Sequence, residues 1–189
     1  MEKYAISHQG LLRSNNEDRF LVMELDDGAL LLAVADGMGG RAGGEVAAQL
    51  TVALLQQDQM FWAQVGDSRL YIFRNNELQQ LTTDHNMAQL LVELGEISAA
   101  DAAKSPFRHI LNQCVGQPDC RPDIGREKLE PGDIIMLCTD GLHGSTSDAV
   151  VTLYLERKGS LARKADNLVQ KTLRSGGRDN VTIILAAIE

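Results

Sequence analysis

Acidic residues stand at the ends of the apolar runs of this sequence. They are Glu17 with Asp18, Asp36, Asp140 and Asp179. Asp36 directly follows the apolar run 29–35, and Asp140 follows the run 134–138 after a single threonine. Runs of this length and composition predict buried strands. Each carboxylate is therefore expected where a rigid strand meets a loop, and neighbouring strands would bring these carboxylates together at one edge of a sheet.

Carboxylates that converge in this way need a compensating charge. Like charges repel, and burial raises the cost of keeping them ionised. Oxygen-only ligand sets favour hard divalent cations such as Mg²⁺ or Mn²⁺. Glycine follows both Asp36 and Asp140, and it lets the backbone approach a ligand closely. A single Asp-Gly pair is usually an ordinary turn, but its recurrence together with acidic residues at other strand ends favours a metal site.

Strands are predicted towards both ends of the chain and helices in its middle. The turn Asp26-Asp27-Gly28 between two apolar runs predicts a β-hairpin. Residues 60–73 have strand composition interrupted at 66–68, and 181–188 form a β-branched closing strand. The apolar spacing in 41–57 predicts a helix. Further helices are predicted to begin near Met87, Ser98, Ser147 and Ser160.

Length and charge limit the class of protein. A chain of 189 residues is expected to form a single domain over 1–189. The net charge of −8 argues against nucleic acid or an anionic membrane as the main partner. No apolar run is long enough to cross a bilayer, and the N-terminus has no apolar signal core. Three cysteines do not suggest a disulfide framework, so we expect a cytoplasmic protein.

Six short motifs make the sequence resemble a known family. They are Arg13–Asp18, Asp36–Gly40, Val65–Arg69, Leu81–His85, Cys138–Leu142 and Gly177–Thr182. In type and order they are similar to the motifs of metal-dependent protein Ser/Thr phosphatases of the PPM (PP2C) type, in their bacterial form. The resemblance implies an α+β fold, in which a β-sandwich of two antiparallel sheets is flanked by helices. It also implies a helical flap at about 86–116.

The resemblance also assigns roles to individual residues. Asp36 would bridge two Mn²⁺ or Mg²⁺ ions, and the backbone carbonyl of Gly37 would bind one of them. The remaining metal residues would be Glu17, Asp18, Asp67, Asp140 and Asp179, with Asp67 and Asp140 serving a weaker third ion. Arg13 would hold the substrate phosphate, while Asn180 and His85 would support the site.

The implied reaction is the hydrolysis of phosphoserine and phosphothreonine in proteins. A hydroxide shared by the two metal ions would attack phosphorus directly, so no cysteine is needed as a nucleophile. The implied partners are phosphorylated proteins and a Ser/Thr kinase whose action the enzyme opposes in bacterial signalling.

One departure from the family pattern leaves an alternative open. After the predicted helix ending near Gln57, family members carry a second long helix and a strand, and this sequence lacks both at that point. Loss of a strand would expose apolar surface and two sheet edges. Because every metal residue is retained, we expect an active phosphatase. The alternative is a non-catalytic member that binds a phosphoprotein or another partner.

Overall fold

The computed structural model describes residues 1–37 and 47–189. Within these ranges ten strands form two five-stranded antiparallel sheets. The strands are β1 (Lys3–His8), β2 (Arg19–Glu24), β3 (Leu30–Gly37), β4 (Ala47–Gln56), β5 (Gln59–Val65), β6 (Arg69–Arg74), β7 (Glu77–Gln80), β8 (Asp123–Lys128), β9 (Ile134–Cys138) and β10 (Val181–Ala187). The first sheet has the order β1-β10-β9-β6-β7, and the second has the order β2-β3-β4-β5-β8.

Helices flank the first sheet. They are α1 (Met87–Glu93), α2 (Ala99–Ala102), the 3₁₀-helix η1 (Pro106–His109), α3 (Asp140–His143), α4 (Asp148–Leu155) and α5 (Leu161–Arg174). Helix α5 packs on β1 and β10, and α4 packs on α5 and β7. The predicted α+β class with two antiparallel sheets and flanking helices is confirmed.

Two apolar cores hold the layers together. One lies between the sheets and includes Leu32 and Val34 of the second sheet with Ile135 and Ile184 of the first. The other lies between the first sheet and the helices and includes Leu168 of α5. Strands β9 and β10 are buried on both faces, because one side meets the helices and the other meets the second sheet. This explains their continuous apolar sequence.

The hairpin and several helix starts are also confirmed. Strands β2 and β3 pair in an antiparallel hairpin, and the Asp27 carboxylate accepts the backbone N–H of Ala29 at 3.0 Å in its turn. Asn86 and Ser98 cap α1 and α2 through their side chains. Asn75 and Asn76 both have positive φ in the turn between β6 and β7, a conformation that asparagine tolerates.

The helix predicted for 41–57 is wrong over Ala47–Gln56, which forms β4; residues 41–46 lie outside the described ranges. Side chains in β4 alternate between core and surface, with Thr51, Ala53 and Leu55 buried. Several of its apolar positions also fit a helical period, so spacing alone did not separate the two structures. Pairing with β3 on one side and β5 on the other decides in favour of the strand.

The second sheet has no gap after Gln57, where the sequence suggested that a strand is missing. Gln57 has φ 55° and lies in the tight turn that connects β4 directly to β5, where Gln56 pairs with Gln59. The second sheet is therefore continuous through its centre. The prediction that the sandwich loses a strand at this point is wrong.

The stretch predicted as a flap contains α1, α2 and η1. Helix α1 contacts both α2 and η1, and an isolated bridge joins Asn86 to Leu111. None of the helices in the described ranges is long and apolar enough to cross a membrane.

Candidate metal centre

The topology brings five acidic residues to one end of the sandwich. Asp36 lies near the end of β3, Asp67 follows β5, and Asp140 follows β9. Asp18 and Asp179 precede β2 and β10. Because β2 runs antiparallel to β3 and β10 runs antiparallel to β9, the start of one strand lies beside the end of the other.

Asp36 and Asp140 form the centre of this cluster, and each comes from a different sheet. Burial, followed by the charge of the Asp140 carboxylate, raises the pKa of Asp36 to about 10. Burial and the charges of Asp179 and Asp18 raise the pKa of Asp140 to about 6, although a hydrogen bond with Asp36 opposes this shift. In the protein without metal, burial and neighbouring negative charge therefore favour the protonated form of these two carboxyl groups.

Asp18 is held by two hydroxyl groups beneath the cluster. Its Oδ2 accepts hydrogen bonds from Thr139 Oγ1 at 2.8 Å and from Thr182 Oγ1 at 2.7 Å. The carboxylate is 3% exposed. Burial raises the pKa of Asp18, and the two hydroxyl groups act against this rise. Thr139 and Thr182 lie next to each other, at the end of β9 and the start of β10. The first sheet therefore fixes Asp18, which comes from just before β2 of the second sheet.

Asp67 lies in the crossing between the two sheets. Gln49 Oε1 accepts the backbone N–H groups of Asp67 at 2.8 Å and Ser68 at 3.2 Å. Burial, followed by the charge of Asp140, raises the pKa of Asp67 to about 8. Its Oδ1 is buried and has no hydrogen-bond partner among the residues that the structure describes. Such an oxygen is a candidate ligand for a cation.

Arg13 lies at the open side of the cluster and pairs with Asp179. Its Nη2 is 2.7 Å from Asp179 Oδ2, and the two side chains are 46% and 34% exposed. Asn180 holds the surrounding loops, since its Nδ2 donates to the carbonyls of Gln9 at 2.7 Å and Asn15 at 2.8 Å. Its Oδ1 accepts the N–H of Glu17 at 2.8 Å. The predicted supporting residue thus joins the loops that carry Arg13, Glu17 and Asp179.

The glycine after Asp140 is required by a close backbone contact. A Cβ atom built on Gly141 would lie 1.9 Å from the Asn180 carbonyl oxygen. Any side chain there would push the Asp140 turn away from the segment that carries Asp179. The Asp-Gly pair therefore sets the spacing between two members of the cluster.

The remaining predicted site residues are Gly37, Glu17 and His85, and each has a different environment. The pairing of β3 with β4 shifts register between Asp36 and Gly37, so the regular ladder is interrupted at the point where the Gly37 carbonyl would be needed. The charge of Glu17 acts on Arg13, and Glu17 is not among the groups that raise the pKa of Asp36 or Asp140 most. His85 is buried; its Nδ1 accepts the N–H of Gly66 at 3.3 Å, and its Nε2 lies 3.2 Å from Asp123.

Several contributing residues were not predicted from the sequence. They are Thr139, Thr182, Gln49 and His143. The neutral ring of His143 donates from Nε2 to the Asp67 carbonyl at 3.0 Å. Burial lowers the pKa of His143 to about 3, so it carries no charge at neutral pH. The threonines could have been noticed as neighbours of Asp140 and Asn180, whereas Gln49 gives no local signal.

The arrangement fits divalent metal ions in its charge and chemistry. All five groups are oxygen ligands, burial and mutual repulsion raise the pKa values of Asp36 and Asp140, and Asp67 Oδ1 has no described partner. Within 1–37 and 47–189, however, no three acidic, histidine or cysteine side chains are already close enough to enclose an ion. Binding would therefore require loss of the Asp36 proton and release of Asp179 by Arg13.

A cavity of about 450 Å³ opens beside the cluster. Asp67, Asp140 and His143 line its inner side, while Arg108 and His109 of η1 line the opposite side. Beneath it, Arg69 pairs with Asp84 through two hydrogen bonds of 2.7 Å. The cavity thus lies between the acidic cluster and the predicted flap.

Family models and sequence relatives match the chain along most of its length. Two models described as protein phosphatase 2C match residues 42–112 and 10–57. The serine/threonine protein phosphatase PstP of Mycobacterium tuberculosis is 30% identical over 233 aligned positions, which cover 97% of this chain and 44% of that protein. The serine/threonine phosphatase stp of Listeria welshimeri is 30% identical over 231 positions, which cover 94% of this chain and 92% of that protein.

The two alignments contain 233 and 231 positions, whereas this chain has 189 residues. The relatives therefore carry residues that have no counterpart here. The chain also spans less than half the length of the M. tuberculosis relative.

Solved structures share the fold. A serine/threonine phosphatase of Streptococcus agalactiae superposes with a TM-score of 0.93 at 27% identity, covering 100% of this chain and 99% of that one. The catalytic domain of PstP in complex with two manganese ions superposes with a TM-score of 0.85 at 27% identity, covering 100% and 98%.

The raised pKa values predict how metal and pH act on stability. The folded protein keeps protons on Asp36 and Asp67 that the unfolded chain releases above about pH 4. Without metal, the free energy of unfolding should therefore fall as pH rises from 5 to 9. Mn²⁺ at one hundred times its Kd should add about 2.7 kcal/mol, or roughly 5–10 °C in Tm. At one fixed Mn²⁺ concentration the gain should be larger at pH 8 than at pH 6, because protons compete with the metal for the carboxylates. Thermal unfolding with chelator and with Mn²⁺ measures this.

The Asp36→Asn variant is the matched control for this measurement. Its amide imitates the protonated acid and can still donate to Asp140. Without metal it should have at least the parental Tm and a flatter pH dependence, and Mn²⁺ should no longer raise its Tm. A variant that keeps the full Mn²⁺ shift would contradict the placement of an ion at Asp36.

Proposed function

The chain belongs to the protein phosphatase 2C family, and from this premise we propose that it hydrolyses phosphoserine and phosphothreonine in proteins with the help of bound Mn²⁺ or Mg²⁺. The observation that carries the proposal is the carboxylate cluster built from both sheets, in which burial and mutual repulsion raise the pKa values of Asp36 and Asp140. Such a cluster is costly in a protein that does not bind cations.

Each acidic residue has a role in this proposal. Asp36, the Gly37 carbonyl, Asp140 and Asp179 would hold the two core ions. Glu17 and Asp18 would assist directly or through water, and Asp67 with Asp140 would hold a weaker third ion. When bound, such ions lower the pKa of a shared water towards neutrality and so supply the hydroxide that attacks phosphorus.

Arg13 takes the substrate phosphate in this proposal. In the structure its guanidinium is bound to Asp179 at the open side of the cluster. A cation on Asp179 would compete for the same carboxylate and free the guanidinium for the phosphoryl oxygens. Paired N–H groups match phosphate geometry well, so Arg13 would both orient the phosphoryl group and offset its charge.

The leaving oxygen takes its proton from water in this scheme. His143 is the histidine that contacts Asp67, and its pKa is lowered to about 3 by burial. It is therefore neutral at the pH of the reaction and acts by holding the Asp67 backbone. Among the described residues of the cavity, His109 also has a lowered pKa because of burial and the Arg108 charge.

The cavity beside the cluster supports a protein substrate. Its size leaves room for side chains next to the phosphorylated residue, and Arg108 and His109 on the predicted flap face the acidic cluster across it. We infer that the phosphoproteins are products of a Ser/Thr kinase, whose action this enzyme opposes in bacterial signalling.

Hydrolysis of a phosphothreonine peptide tests the proposal. We expect turnover with Mn²⁺, loss of turnover with chelator, and a reduction of kcat by at least about 100-fold in Asp36→Asn, because the variant removes a charged group from the reacting centre. The Tm of each protein establishes that it is folded. A folded parent that binds the peptide without turnover would favour the alternative, a non-catalytic phosphoprotein-binding member.

Arg13→Ala tests the phosphate-binding role. Loss of the guanidinium should lower kcat/KM by about 10- to 100-fold, since a charge-assisted contact to phosphate contributes about 1.5–3 kcal/mol. Arg13→Lys should recover part of this loss. Arg178→Ala is the matched control, because it removes an exposed arginine next to Asp179 that the proposal does not use. An equal loss in Arg178→Ala would show that only the local positive charge matters.

A further inference from the structure

The outer face of the second sheet is apolar and exposed. Leu21 and Met23 of β2 are 42% and 40% exposed, Phe61 of β5 is 44% exposed, and Ile124 of β8 is 79% exposed. Strand pairing places Met23, Leu31, Leu54 and Phe61 in one row across this face. Side chains on the opposite face, such as Leu32 and Leu55, fill the core.

The helices of the described chain leave this face open. Helices α3, α4 and α5 pack on β1, β7, β9 and β10, all in the first sheet, and α1 packs on α2 and η1. Relatives carry residues that this chain lacks. A protein that works as a monomer rarely exposes an apolar patch larger than about 300–600 Å².

The size of the face is sufficient for an interface. Five strands about 4.8 Å apart, each contributing about 20 Å of length, present roughly 500 Å² of flat sheet. Two such faces together reach the roughly 1,000 Å² that a specific interface needs, even before the relief of the side chains adds area.

At the end of this face that carries the β2–β3 turn, the charges at the two edges are opposite in sign. Lys128 pairs with Gln59, Gln59 pairs with Gln56, and Gln56 Nε2 donates to Asp27 at 2.9 Å, so these residues form one row across the sheet. Asp26 and Asp27 lie at its acidic end, while Lys128 with Arg126 forms its basic end. Four strand spacings, roughly 19 Å, separate the outer strands. Within the described ranges none of these four charged groups takes part in an ion pair.

We propose that the occupant of this face is a second copy of the chain, packed sheet on sheet about a twofold axis that runs parallel to the strands. Rotation about that axis places β8 of one copy over β2 of the other. The ends of the two sheets that carry the β2–β3 turn then lie on the same side of the dimer. The basic edge of each copy then meets the acidic edge of its partner, and the contact occurs twice. Aligned packing of twisted sheets, within about 30°, is a common arrangement.

In this arrangement β4 lies over its own counterpart. The apolar side chains Leu50, Val52 and Leu54 form the centre of the interface, and the charged pairs form its rim. Charged residues at a rim mainly set orientation and partner choice. The rim therefore selects the parallel axis over an in-plane axis perpendicular to the strands, which would lay β8 over the partner's β8 in the opposite direction and remove the contact between Lys128 and the partner's hairpin.

Sedimentation velocity of the full chain between about 0.1 and 100 μM tests the proposal. We expect a reversible dimer. Phe61→Glu should weaken self-association by at least about tenfold, because it buries a charge in an apolar interface. Phe107→Glu is the matched control; its phenylalanine is similarly exposed, at 48%, but lies on η1, and it should leave the dimer unchanged. A folded parent that remains monomeric over this range would overturn the proposal.

Charge reversal tests the orientation of the two copies. Asp26→Lys and Lys128→Glu should each weaken the homodimer, because each brings like charges together twice. An equimolar mixture of the two variants should associate with parental affinity as a heterodimer, since both edge contacts then join opposite charges. If the mixture associates no better than either variant alone, β8 does not lie over the partner's hairpin and the proposed axis is wrong.

Discussion

The two sheets of the sandwich hold together, at one end, carboxylates that repel one another. Asp36, Asp67 and Asp140 are each held where burial and neighbouring negative charge favour the protonated form. A fold tolerates such a cluster only when rigid elements prevent the groups from moving apart. The two sheets supply this rigidity, since Asp36 comes from one sheet and Asp140 from the other, and the apolar core between them fixes the distance.

Neutral groups position the cluster without cancelling its charge. Thr139 and Thr182 donate to Asp18, and Gln49 holds the backbone at Asp67. Among the described residues, Arg13 pairs with the cluster and binds Asp179 at its exposed side. A permanent cation at the centre would satisfy the carboxylates and leave nothing for a metal to bind. The interior of the site is therefore negative, and the positive charge of Arg13, which can be displaced from Asp179, lies at its entrance.

The positions of Asp36, Asp140 and Asp179 could be predicted from the sequence because each depends on a local pattern, a buried run followed or preceded by an acidic residue. The conformation of β4 could not, since its apolar spacing is compatible with both a helix and a strand, and only pairing with β3 and β5 decides between them. Gln49 and Thr182 were missed for a related reason. Their partners, Asp67 and Asp18, are distant in sequence, so their roles depend on contacts that no short motif encodes.

Strand β4, which was predicted as a helix, links the site to the open outer face of the second sheet. Strand β3 carries Asp36 into the cluster, and β4 is its inner neighbour in the sheet. The core braces one side of these strands, whereas their other side lies on the outer face, which no described helix covers. A sheet packed on both faces resists bending more than one packed on a single face. Covering the outer face would therefore restrict β3 at the point where the register with β4 shifts, between Asp36 and Gly37, and so help to hold the bridging carboxylate in place.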